Sequence, residues 1–98
     1  MQYKLKNNSN MKSKLNKVFF VTYNDDNTKS PIMAFDNSLT NDDMKKLIYG
    51  HFKGDDCLTE YYDDADLERA AKIIVDGNDS WNSGTEEYFI EDVTEYYR

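Results

Sequence analysis

His51 and Cys57 are the only imidazole and the only thiol in the chain, and Asp55 and Asp56 lie between them. An imidazole nitrogen, a thiolate and a carboxylate are the donors from which tetrahedral zinc sites are built. His51, Asp55, Asp56 and Cys57 are therefore the candidate ligands for a zinc ion, the one cofactor these residues suggest. Gly54 would let the chain fold back between them, and a fourth ligand would come from a distant carboxylate such as Asp63 or Asp64. The spacing matches no standard zinc finger, however, and there is no second Cys or His. The alternative places His51 at the edge of an apolar helix face and Cys57 in the core as a small hydrophobe.

Catalysis has less to work with. The sequence holds no nucleophile elbow, no P-loop, no dinucleotide-binding glycine turn and no H-E-x-x-H pair. A Cys57/His51 dyad would lack a third group to orient it and, in 98 residues, the walls that exclude water. Carboxylates are plentiful, yet glycosidase chemistry also needs a sugar-sized cleft. Asp76, Asn78, Ser80, Asn82 and Glu87 match a calcium-loop template, but Trp81 stands where that loop requires glycine. The chain reads as a binding protein, not an enzyme.

Charge carries the stronger signal. The formal net charge is −7, and its two ends have opposite sign. Lys4, Lys6, Lys12, Lys14 and Lys17 fall within residues 1–17 without a single acid, whereas residues 55–98 hold fourteen acids against Arg69, Lys72 and Arg98. So acidic a body repels phosphates and attracts basic surfaces, which makes basic nucleic-acid-binding proteins the favoured partners and direct binding of nucleic acid unfavourable. Within it, Asp55, Asp56, Glu60, Asp63, Asp64, Glu86, Glu87, Glu91, Asp92 and Glu95 are the candidate contact carboxylates. Tyr61 and Tyr62 lie among them and would add rigid, amphipathic contact area. The lysines offer the contrary idea of an arm that touches phosphates weakly and in a salt-dependent way.

The elements that must position these residues follow from local pattern. Residues 1–16 are polar, basic and aperiodic, and read as a flexible N-terminal arm. Residues 17–98 form one compact acidic domain. Lys17 to Tyr23 is β-branched and aromatic, Asn24 to Asn27 is turn chemistry, and Ile32 to Phe35 returns, so a β-hairpin is predicted, with Pro31 at the start or edge of its second strand. Thr40 and Asp43 form an acidic capping box ahead of Met44, Leu47, Ile48, His51 and Phe52, which share one helical face up to Gly54. A second short helix opens at Asp63-Asp64, runs through Leu67, Ala70, Ala71 and Ile74, and stops at Gly77. Gly77 to Gly84 reads as a polar loop holding Trp81. Thr85 to Arg98 carries both strand composition and helical spacing, and strand is preferred. The expected fold is α+β: a small single domain with a β-hairpin, two short helices and a C-terminal strand.

No apolar run approaches the roughly 20 residues of a membrane span, and polar Asn7 to Asn10 follow Lys4 and Lys6 where a signal peptide would be apolar. A lone cysteine fits a reducing compartment, so a cytoplasmic location is expected. In size, in its Asn/Asp/Tyr/Lys-rich composition and in its clustered acids, residues 18–98 resemble the small phage-encoded proteins of low-GC bacteria that block host defence, especially anti-CRISPR inhibitors of Cas9-type nucleases and anti-restriction DNA mimics. The resemblance implies a stoichiometric inhibitor that binds a CRISPR or restriction nuclease and prevents DNA loading or cleavage. The lysine-rich arm departs from the uniformly acidic surface of a whole-molecule mimic and favours a local acidic patch. A zinc-binding adaptor or regulator, and a nucleic-acid-binding accessory protein using the basic arm, are the alternatives.

Overall fold

A computed structural model describes residues 15–93. Most of the basic arm and the candidate contact residue Glu95 lie outside the described residues. The fold is the expected α+β domain: strands β1 (Leu15–Tyr23) and β2 (Asp26–Asp36), helices α1 (Asn41–Lys53), α2 (Asp56–Tyr61) and α3 (Asp64–Val75), then strands β3 (Trp81–Asn82) and β4 (Glu86–Asp92). All pairings are antiparallel, and the strand order across the sheet is β2-β1-β4-β3.

The hairpin forms where the β-branched and aromatic run predicts it, but its second strand starts earlier. Tyr23 already pairs with Asp26, so only Asn24 and Asp25 make the turn, and the polar residues after them belong to β2. Pro31 sits within this edge strand, opposite Phe20 and next to a register shift. An edge position beside a bulge tolerates the missing backbone donor. Side chains alternate across a strand, and Phe19, Val21, Phe35 and Tyr88 on one face of the sheet bury themselves against the helices. On the other face Phe20 and Phe89 stack with ring centroids 5.7 Å apart. Lys29 lies 4.8 Å above the Phe20 ring and pairs with Glu91 at 2.6 Å.

Both long helices begin as their sequence dictates. Thr40 and Asp43 complete a reciprocal capping box on α1, and Asp63 and Asp66 do the same on α3. The buried stripe of α1 is narrower than predicted: Met44, Ile48 and Phe52 are buried, while Leu47 is 46% exposed. The buried stripe of α3 is the predicted one, Leu67, Ala70, Ala71 and Ile74. Lys45 joins the start of α1 to the end of α3 through Asp76 at 2.7 Å, and this partner raises the Lys45 pKa.

Two elements depart from expectation. A third helix, α2, occupies the acidic stretch after Gly54; Asp55 caps it by accepting from the Cys57 amide at 3.0 Å. Trp81 lies not in a loop but in β3, where it pairs with Tyr88 and closes the sheet edge. At the β3–β4 turn Gly84 adopts φ +112°, a left-handed value that favours glycine. Its carbonyl accepts from Asn24 Nδ2 at 3.0 Å, so the hairpin tip is tied to this turn.

Candidate functional site

At the end of the domain where α1 gives way to α2, residues 55–66 contain six carboxylates and no cation. The chain presents them on a short helix, because Asp55 and Asp63 are consumed as successive N-caps. A six-residue helix rises only about 9 Å, so these acids crowd one end of the molecule. Lys53 pairs with Asp64, which raises the lysine's pKa and fastens the end of α1 to the start of α3 across the intervening α2. Arg69 pairs with Asp66 at 2.6 Å. Asp56 and Glu60 are exposed and, among the described residues, their side chains have no cationic partner.

The two adjacent tyrosines part company here. Tyr61 is 77% exposed, whereas Tyr62 turns inward and donates from Oη to the Ser83 carbonyl at 2.8 Å. Tyr62 meets Trp81 edge-on, with ring centroids 5.3 Å apart. Trp81 in turn stacks on Tyr88 at 6.0 Å and touches Phe52 at 5.3 Å. Tyr88 is buried, and desolvation, then the Glu86 carboxylate that accepts its Oη proton at 2.8 Å, push its pKa far up. Beside this aromatic cluster lies an open groove of about 220 Å³, lined by Tyr61, Tyr62, Asp66, Arg69, Ala70, Ile73 and Trp81.

The structure divides the predicted contact residues. Asp55, Asp56, Glu60, Tyr61, Tyr62, Asp63 and Asp64 come together at the α2–α3 end. The β4 acids do not form one patch with them. Glu86 holds Tyr88, and Glu91 is paired with Lys29 on the far face of the sheet. Glu86 and Asp92 lie at opposite ends of β4, about 20 Å apart at strand rise. Sequence reasoning missed Ile73 and Trp81 as members of the site. Ile73, just outside the buried stripe of α3, was the available signal for an exposed apolar side chain.

The candidate zinc ligands are also divided. His51 lies edge-on to Phe19, with centroids 6.0 Å apart. Asp55 is the α2 cap, while Asp56 and Cys57 begin the helix. Cys57 is exposed, which corrects its expected place in the core: the N-terminal turn of α2 buries only Leu58. Among the described residues no three His, Cys, Asp or Glu side chains converge as a metal site. Nor is any described helix long and apolar enough to cross a membrane.

Comparison of the chain with known protein families, curated proteins and solved structures finds no match.

Proposed function

We propose that the protein is a stoichiometric inhibitor that binds a nucleic-acid-handling enzyme of the bacterial cytoplasm through its α2–α3 end. The observation that carries this reading is the run of six carboxylates without a cation at residues 55–66, within which the side chain of Tyr61 stands exposed. Carboxylates in such density steer a basic surface into encounter, and an exposed aromatic ring among them supplies the desolvated contact that charge alone does not. A groove built to bind DNA or RNA phosphates offers the complementary lysines and arginines. On the compositional resemblance, a Cas9-type CRISPR nuclease is the target, and loading or cleavage of DNA is the step blocked.

The test uses a purified guide-loaded nuclease and its DNA target. Wild-type protein at equimolar ratio suppresses cleavage, and its association slows as salt rises, because charges are screened beyond about 8 Å at physiological ionic strength. Asp56→Lys combined with Glu60→Lys abolishes suppression without changing the circular dichroism, since among the described residues neither side chain has an ionic partner. Undiminished cleavage by every CRISPR and restriction nuclease tested, with wild-type protein in excess, overturns the proposal.

A further inference from the structure

The groove beside Tyr61 has a composition that selects its occupant. Its lining joins three aromatic side chains, Tyr61, Tyr62 and Trp81, to Ala70 and Ile73 of α3, with the carboxylate of Asp66 and the guanidinium of Arg69 beside them. Its volume of about 220 Å³ is below the roughly 300–1,000 Å³ of small-molecule sites, so it suits one long side chain better than a metabolite. Tyr61 at 77% and Ile73 at 38% exposure leave apolar surface bare at the groove. An aliphatic plug would cover that surface but would add nothing for the carboxylates: Asp66 has only the largely exposed Arg69 as its cation among the described residues, and the neighbouring Asp56 and Glu60 have none. A cation on a hydrocarbon stem answers both, because aromatic faces attract cations and the stem packs on apolar walls.

The molecule already contains a small version of this arrangement. The Arg69 guanidinium reaches Asp66 at 2.6 Å while remaining 65% exposed, so water screens the pair and an incoming cation can compete for the carboxylate. From this geometry we infer that the groove receives a lysine or arginine side chain presented by the protein partner, its stem along Ala70 and Ile73 and its charge between the tyrosine rings and Asp66. The inference rests on the reading of the α2–α3 end as the partner-binding surface and specifies the chemistry of that contact.

Trp81 is the only tryptophan in the chain and lines the groove, so its fluorescence reports occupancy directly. The probes are a short glycine-spaced arginine peptide and the same peptide with citrulline, which keeps the shape and removes the charge. The arginine peptide gives a saturable change in Trp81 emission, and the citrulline peptide binds at least about tenfold more weakly. Tyr61→Ala, a truncation at an exposed site, weakens the arginine peptide by about fivefold. Arg69→Gln strengthens it, because the internal competitor for Asp66 is gone. Equal curves for the two peptides, or no response to Tyr61→Ala, overturn the inference.

The two proposals fail separately. If the Asp56/Glu60 reversals abolish nuclease suppression while Tyr61→Ala suppresses as well as wild type, the groove inference falls and the inhibitor reading stands. If no nuclease is suppressed but arginine and citrulline are still discriminated with the stated variant effects, the inhibitor reading falls and the groove keeps its ligand class.

Discussion

Replacing Tyr88 by phenylalanine separates the packing of this buried ring from the hydrogen bond of its hydroxyl. Tyr88 is 2% exposed, stacked on Phe19 at 5.9 Å and edge-on to Phe52 at 5.0 Å. Phenylalanine keeps both ring contacts and loses the hydrogen bond to Glu86. Bonds to charged groups contribute about 1.5–3 kcal/mol, but Glu86 is half-buried and regains water once released, so the cost near neutral pH is about 1 kcal/mol. The pH dependence is more discriminating. Burial and the Glu86 carboxylate raise the Tyr88 pKa above its ordinary value of 10.0. Above that pH the unfolded chain has released a proton that the native state still holds. The contribution is therefore intact below it and falls by about 1.4 kcal/mol per pH unit above it. The phenylalanine variant has no such loss, so the wild-type advantage vanishes within about one unit above the phenol value. Urea unfolding of both proteins across that range measures the difference, in which the other tyrosines and the lysines cancel. A wild-type advantage that stays constant across the range refutes the argument that burial and Glu86 hold the proton.

Two further predictions test what positions the site. Asp63→Ala removes the side chain that accepts from the Asp66 amide at 2.9 Å, and should cost about 1 kcal/mol by thermal or urea unfolding. Phe52→Ala empties a fully buried position beneath Trp81 and should cost about 3–5 kcal/mol, whereas Leu47→Gln, on the exposed flank of the same helix, should change stability by less than about 0.5 kcal/mol.

The features legible from sequence are those whose signal is local. Thr40 and Asp63 each stand three residues before an acid and just ahead of an apolar stripe, and both caps form. Helix α2 was hidden because six residues are too few to show a period, and Asp55 looks the same as a cap, a ligand or a contact. Leu47 shows the limit of spacing arguments: it satisfies the helical period, but the stripe that the sheet and α3 cover runs through Met44, Ile48 and Phe52 alone. Trp81 lies among Asn, Asp, Ser and Gly, and only its pairing with Tyr88 across the Gly84 turn makes it a strand residue. The same distinction runs through the acids. Composition locates their density at residues 55–66, but which of them are spent on caps and pairs is decided by tertiary contacts that no doublet reveals.

Strand β1 lies between β2 and β4, the one reached by a two-residue turn and the other only after all three helices have been traversed. The entropy of closing a loop grows with its length, so the β1–β2 hairpin is cheap to form and the β1–β4 pairing is expensive. A nascent chain that ends at Asn82 therefore carries a hairpin whose inner edge is unpaired, with Phe19 and Phe20 lacking their neighbours Tyr88 and Phe89. Such an edge invites pairing with other chains. Its closure waits for a seven-residue strand that contributes both the second wall of the sheet and the buried tyrosine of the core. Folding of this domain is thus gated by its last described element, and damage to β4 should appear first as aggregation during synthesis and only secondarily as loss of stability in the finished molecule.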